Sequence, residues 1–326
     1  MNKFIFKYKS NFCTFKKVDK PHVTFIGLGN MGYSMAINLL NSNKYSISGF
    51  DLNNDVQEEF SKHSNAVKTT LETSIQNSKY IITVLPNTDN VKSAINNFKS
   101  YIKSSSLEEV YLIDSSTICP IETRNISKEL SEYGNSLGKK LNFTDAPISG
   151  GVIGAKNATL TFMIGADNVE KFNTVKQFLN PMGKNFFNCE SIGNGQVAKI
   201  CNNLALGITT AGISESIALG KKLGIDDKIL AQIMSVSSAY CWSLNVNSPV
   251  PGVVDNSASN REYEKGFNID LMLKDMNLGL QSAKALNQNL DIADVVSNLY
   301  NDVLSKGKGK KDFSYIYQYL LNKNLL

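Results

Sequence analysis

The sequence predicts a doubly wound α/β sheet followed by an all-helical domain, the two joined by one long helix. Three observations predict it. Short apolar runs, rich in β-branched and aromatic residues, alternate with helical stretches through the first half of the chain. A glycine-rich turn sits between the first such run and the first helix. After about residue 190 the strand-like runs cease and helical patterning takes over. The length of 326 residues suits two domains rather than one.

Taken in order, HVTFIG (22–27), SISGF (46–50), YIITVL (80–85) and VYLID (110–114) read as buried parallel strands. Residues 31–42 and 55–64 between them read as helices, the alternation of a doubly wound sheet. Strands are expected to continue at NFTDA (142–146), LTFMIG (160–165) and NFFNC (185–189). Residues 196–223 then form one helical pattern without proline. Its many Ala, Gly, Ser and Thr residues let another helix approach closely, which hints at a homo-oligomer. Lys221 and Lys222 fill its last turn and Gly224 follows as a stop. At about 1.5 Å per residue such a helix spans roughly 40 Å, enough to bridge two domains. Residues 226–237, 268–288, 291–305 and 312–322 read as further helices, and 248–260, with Pro249, Pro251 and Gly252, as a loop.

The charge distribution excludes several function classes. Residues 1–20 carry six lysines against one acid, Asp19, so the whole formal excess of +5 lies there. The near-neutral remainder has no broad basic surface to neutralise phosphates, which argues against nucleic acid as a partner. The late cluster Lys306, Lys308, Lys310 and Lys311 reads as a solvated loop. No apolar run approaches the roughly 18 residues a membrane span needs, so no membrane partner is expected. Residues 1–20, basic and carrying Phe4, Phe6, Phe12 and Phe15, match a mitochondrial targeting segment. The absence of Arg leaves a basic tail on a cytosolic enzyme open. The five cysteines are scattered and include no C-x-x-C, which fits reduced thiols and no metal site.

G-L-G-N-M-G follows the first strand and opens the first helix, the context a dinucleotide fingerprint requires. Gly27, Leu28, Gly29, Asn30, Met31 and Gly32 would bring backbone N–H groups and a helix N-terminus to a pyrophosphate. Asp51 ends the second strand at the expected distance. Its carboxylate would accept both ribose hydroxyls of NAD and repel the 2′-phosphate of NADP. The first domain is therefore expected to be a Rossmann-type dinucleotide-binding domain over residues 21–189, with a helical substrate domain over 190–326.

The chain has two histidines, His22 and His63, both in the nucleotide half, so a histidine base in the other half is excluded. In GQVAKICNNLALG, Lys199 and Asn203 are four apart and share a helix face. A lysine desolvated at the start of a bridging helix would exchange protons nearer neutrality. On spacing alone, an exposed helix lysine beside an asparagine is the commoner arrangement. In DAPISGG, Ser149, Gly150 and Gly151 offer backbone N–H groups that suit a carboxylate, or form an ordinary turn.

Seven segments occur in order from about Val23 to Tyr319: FIGLGNMG, LIDSSTICP, DAPISGGVIGAKNATLTFMIG, GNGQVAKICNN, CWSLNVNSPVPG, LMLKDMNLGL and KKDFS. Together they resemble the β-hydroxyacid dehydrogenase family, in its hydroxyisobutyrate branch. The resemblance implies that Lys199 is the catalytic acid/base with Asn203 beside it. It implies a carboxylate loop at Ser149, Gly150 and Gly151. Leu85, Pro86 and Asn90 fall where the family lines the nicotinamide and ribose; Thr117 and Lys274 match further cofactor contacts. No metal is implied. The implied reaction is oxidation of 3-hydroxyisobutyrate to methylmalonate semialdehyde with NAD, a step of valine breakdown in the mitochondrial matrix. Rival readings are a semialdehyde reductase of the same family (tartronate, glyoxylate or succinate semialdehyde) and a cofactor-binding scaffold without turnover. The first is opposed by Asp51, because many such reductases prefer NADP; the second is opposed by the presence of Lys199. Three positions depart from the pattern: Cys119 stands where an acid is usual, and Ala158 and Ala166 where glycine is usual. The two alanines suggest slightly different turns, since alanine resists positive φ.

Overall fold

A computed structural model describes residues 20–322 of the chain. The expected targeting segment, residues 1–20, lies outside them apart from Lys20. The chain divides into two compact units, one ending at Lys199 and the other beginning at Ile200.

The first unit is built on a parallel sheet of β1 (His22–Ile26), β2 (Ser46–Phe50), β3 (Ser78–Thr83), β4 (Glu109–Asp114) and β5 (Lys140–Asp145), in the order β2-β1-β3-β4-β5. The helices α1 (Asn30–Asn41) and α2 (Asn54–Ser61) serve one face; α3 (Leu71–Asn77), α4 (Thr88–Ile102) and α5 (Pro120–Ser136) serve the other. The strand alternation builds both layers, because successive side chains point to opposite faces. Val23 and Phe25 of β1 with Tyr111 and Ile113 of β4 join Met35, Leu39 and Phe60. Ile26, Val110 and Leu112 join Ile75, Val91, Phe98 and Leu130. Asn53, Thr70 and Asn87 start α2, α3 and α4 by accepting a backbone N–H into their side chains, as capping residues should.

The later strands do not extend this sheet. β6 (Ile148–Ser149), β7 (Leu160–Ile164) and β8 (Gly183–Asn188) form a separate three-stranded sheet in that order, interleaved with α6 (Gly151–Lys156) and α7 (Val169–Leu179). LTFMIG and NFFNC are strands as expected, but β6 pairs antiparallel to β7 and turns the chain into a new layer.

A polar cluster lies beside the N-terminal ends of β1 and β2. His22 bonds Ser46 at 3.0 Å, Ser74 at 3.1 Å and Ser48 at 3.2 Å, and Thr24 bonds Ser74 and Ser78 at 2.6 and 2.7 Å. Burial lowers the His22 pKa from 6.5 to about 4, so the folded protein holds the ring neutral. The unfolded chain takes up a proton first as pH falls, so this group withdraws stability between those two values and not above them. Against a His22→Gln variant, wild type should lose about 1.4 kcal/mol per pH unit across that window, or about 3 kcal/mol in all. Denaturant titrations of both proteins at several pH values check this; a constant difference would refute it.

The long helix α8 (Asn194–Lys222) starts in the first unit and continues unbroken into the second. The units therefore part at Lys199, not at residue 189 as the change of sequence texture suggested. The reason is polar: Asp145, at the end of β5, accepts the Gly193 N–H at 2.7 Å and the Gln196 N–H at 2.9 Å, fixing the first turn of α8 to the first unit.

The second unit contains the rest of α8, then α9 (Asp227–Ser235), α10 (Trp242–Asn245), α11 (Ile269–Ala285), α12 (Asp291–Val303) and α13 (Ile316–Asn322). The small residues of α8 do allow close approach. A Cβ on Gly207 would lie 2.8 Å from Met276 Sδ, and one on Gly220 would lie 2.3 Å from Leu230 Cδ2. Asp312, in KKDFS, accepts bonds from the Asn247 side chain and the Phe267 and Ser314 amides, which anchors the proline-containing loop. Two details differ from expectation. The short helix Trp242–Asn245 was not foreseen, and the lysine cluster is not a plain loop. Leu304–Lys308 forms a π-turn, and Lys310 and Lys311 pair with Asp270 and Glu264.

Candidate active site

The strand order reverses between β1 and β3, and ligands of open α/β sheets bind in the crevice outside the carboxyl ends at such a point. The candidate cofactor residues of the first unit follow those strand ends. Gly27 leaves β1 with φ of 99°, and a Cβ there would lie 2.2 Å from Val84 O. A Cβ on Gly32 would lie 1.9 Å from Gly27 O. Only glycine fits either place. Gly29 differs, since a Cβ on it would meet nothing within 4 Å. It also occupies the N-cap of α1 with no side-chain bond to the first-turn amides. Those amides are free to turn to an outside acceptor, with Asn30 and Met31 opening the helix.

Asp51 follows β2 and is held against this loop. Its Oδ2 accepts the Leu28 N–H at 2.7 Å and its Oδ1 accepts the Asn53 N–H at 2.9 Å. Both oxygens keep lone pairs for a diol. An open glycine cradle with a fixed carboxylate at its side fits a dinucleotide with an unmodified ribose. Leu85 and exposed Pro86 follow β3, and Asn90 lies in the first turn of α4, its N–H bonded to Asn87 Oδ1. Leu85 donates its N–H to Ser116 Oγ at 2.8 Å, tying the end of β3 to the loop after β4 that carries Thr117.

Lys199 lies in the second turn of α8 and is buried, at 8 % exposure. The exposed helix lysine that spacing alone favoured is not what the fold makes of it. A Cβ on Gly195 would lie 2.2 Å from Met163 O, so α8 starts directly against β7. One edge of β7 pairs with β6, where Ser149 faces Thr161. Gly150 and Gly151 follow with φ of 130° and 61°, and both are exposed. Asn203, one turn beyond Lys199 on the same helix, belongs to the second unit. There its side-chain N–H donates to Asp275 Oδ2 at 2.6 Å, while Lys274 pairs with Asp275 Oδ1 at 3.0 Å. One buried carboxylate therefore serves both candidate residues of that unit. Sequence reasoning missed it, because neighbours along a helix do not face each other and nothing in LMLKD announces a partner 72 positions away.

The other candidates for chemistry are accounted for. His63 is exposed and bonds Tyr33 OH at 3.2 Å. Among the described residues no group of three or more His, Cys, Asp or Glu could hold a metal, and no helix is long and apolar enough to cross a membrane. Cys119 is the N-cap residue of α5 and makes no side-chain capping bond. Ala158 overturns one expectation: it does adopt φ of 55°, just past the end of α6, at a cost of about 1 kcal/mol. Ala166 is buried with no such conformation.

Residues 22–193 match the NAD-binding domain of 6-phosphogluconate dehydrogenase, and residues 193–320 match the NAD-binding domain of NADP-dependent 3-hydroxyisobutyrate dehydrogenase. The mitochondrial 3-hydroxyisobutyrate dehydrogenase of Rattus norvegicus is 39% identical over 94% of this chain and 89% of its own. A probable mitochondrial 3-hydroxyisobutyrate dehydrogenase of Dictyostelium discoideum is 38% identical over 98% of both chains. The chain belongs to the 3-hydroxyisobutyrate dehydrogenase family. The solved 3-hydroxyisobutyrate dehydrogenase of Mycobacterium tuberculosis superposes with a TM-score of 0.81 at 29% identity, over 92% of this chain and 99% of that one. Within the family, the cofactor of this member is NAD. The name of the second matched domain refers to NADP, but that domain begins at residue 193 and does not include the glycine loop or Asp51.

Proposed function

We propose that this protein oxidises 3-hydroxyisobutyrate to methylmalonate semialdehyde with hydride transfer to NAD, in valine catabolism. The observation that carries the reading is a buried lysine at the start of α8, in a chain whose curated relatives carry that activity in their names. The Mycobacterium tuberculosis relative was solved with L-serine, which has the same arrangement of a primary hydroxyl two carbons from a carboxylate carbon. NAD, when bound, supplies the hydride acceptor. Neutral Lys199 takes the hydroxyl proton as the C–H bond of the same carbon breaks, leaving the aldehyde and a protonated amine. In reverse, protonated Lys199 donates to the carbonyl oxygen. Asn203, oriented by Asp275, bonds the substrate hydroxyl. Amides of the Ser149, Gly150 and Gly151 turn receive the carboxylate.

NADH formation should be fastest, by kcat/KM, with 3-hydroxyisobutyrate in a panel that includes glycerate, glycolate and 4-hydroxybutyrate. Those three are the reduced products of the rival semialdehyde reductases. A higher value for any of them would replace this reading, and no turnover at all would favour a scaffold.

The rat and Dictyostelium relatives are named as mitochondrial, and residues 1–20 hold all the excess positive charge. The proposed location is the mitochondrial matrix. A fluorescent fusion lacking residues 1–20 should remain in the cytosol; normal import of that fusion would sink the assignment.

A further inference from the structure

We propose that Gln196 is a positioning residue for hydride transfer. Its side-chain amide clamps the loop around Thr117 to the helix that carries Lys199. The inference rests on the reading of Lys199 as the acid/base group.

Gln196 is fully buried. Its Nε2 donates to Ser116 O at 2.8 Å and its Oε1 accepts the Ile118 N–H at 3.1 Å. These are the two peptide groups on either side of Thr117. The amide thus bonds the loop as a neighbouring strand would, with a donor and an acceptor at fixed spacing. The base of the side chain is fixed as well, since the Gln196 N–H donates to Asp145 Oδ2 at 2.9 Å. From Ser116 the connection continues. Its Oγ accepts the Leu85 N–H at 2.8 Å, and its own N–H donates to Asp114 Oδ1 at 3.1 Å, which also accepts the Thr83 hydroxyl at 2.8 Å. An unbroken run of bonds therefore links the ends of β3, β4 and β5 to the first turn of α8.

Lys199 is three residues past Gln196, on the same side of the helix. Leu85 and Thr117 are the candidate cofactor residues on the other side of the clamp. Loosening it shifts the hydride acceptor against the proton acceptor, and a displacement near 1 Å costs about 10²-fold in rate. Glutamine is required because no shorter or purely accepting side chain satisfies both peptide groups from this backbone position.

Full-length Gln196→Met and Gln196→Glu variants test the clamp. In Gln196→Met the affinity for NADH should stay within about threefold of wild type while kcat falls roughly 10- to 100-fold. The primary deuterium isotope effect on kcat, with substrate deuterated at the hydroxyl carbon, should rise as the chemical step becomes limiting. Gln196→Glu should recover as pH falls. A protonated carboxyl offers one donor and one acceptor, a carboxylate offers none of the donor, and burial raises the pKa of such a group. The ratio of its kcat to wild type should therefore climb from about pH 8 to about pH 6. If Gln196→Met fails to fold, this ratio alone decides. A flat ratio, or a kcat loss that merely tracks NADH affinity with an unchanged isotope effect, overturns the proposal in favour of simple fold support. An active Lys199→Arg variant would remove the acid/base reading and the clamp with it. An inactive Lys199→Arg beside a flat Gln196→Glu ratio would remove the clamp alone.

Discussion

Lys199→Ala should lower kcat by about 10²–10⁴-fold, the range a general acid/base group supplies, or roughly 3–5 kcal/mol of transition-state free energy. NADH affinity should change little, because the glycine cradle and Asp51 lie at the ends of β1 and β2 and not on α8. Oxidation by wild type should rise with pH along a limb set by loss of the Lys199 proton. That limb should be missing from Lys199→Ala. Lys199→Arg sharpens the test, since it keeps the positive charge and still attracts a carboxylate, yet cannot release a proton. Retention of most activity in the Arg variant would make Lys199 an electrostatic anchor and end its assignment as acid/base. Activity loss that accompanied a loss of NADH binding would point instead to damage at the start of α8.

The second large effect is expected at Asp51. Its Oδ2 is held by the Leu28 amide of the glycine loop and its Oδ1 by the Asn53 amide. Asp51→Asn keeps the shape but removes the charge. Hydrogen bonds to charged groups are worth about 1.5–3 kcal/mol, so NAD should bind roughly 10- to 100-fold more weakly. NADP should gain, because the carboxylate no longer repels its 2′-phosphate. The ratio of kcat/KM for NAD over NADP should accordingly fall by about 10²-fold. Wild-type enzyme that turned over faster with NADP than with equal NAD would invalidate the ribose assignment. An unchanged ratio in the variant would do the same.

Local patterning explains what was legible in the chain. β1 to β5 each carry an apolar run that needs cover on both faces, and residues 31–42 and 55–64 have helical periodicity, so these strands with α1 and α2 followed from residues alone, whereas α3, α4 and α5 were not placed. Gly27 and Gly32 were legible because their small size has a backbone cause. The separate sheet of β6, β7 and β8 was not legible, since a strand-like run such as LTFMIG states its conformation but not its partner. Nor were Asp145, Gln196 and Asp275. Each is a buried polar residue whose partners lie 48, 80 and 72 positions away, and such pairings leave no local period. Ala158 shows a different limit: the turn keeps its left-handed shape although its residue prefers another. Propensity yields there to the closing of α6, whose Gly154 carbonyl accepts the Thr159 N–H at 2.9 Å.

The hydroxyl-rich cluster around His22 bears on how the nascent sheet selects its pairing. β1 alternates His22 and Thr24 with Val23 and Phe25, while β2 alternates Ser46 and Ser48 with Ile47. The residues are paired His22 with Ser46 and Thr24 with Ser48, polar opposite polar. A slip of one position would point an imidazole and a hydroxyl into the apolar layer and aim Val23 and Phe25 at Ser74 and Ser78. Each polar group stranded in this way costs about 1–3 kcal/mol. The polar positions of these two five-residue parallel strands thus fix the phase in which they pair.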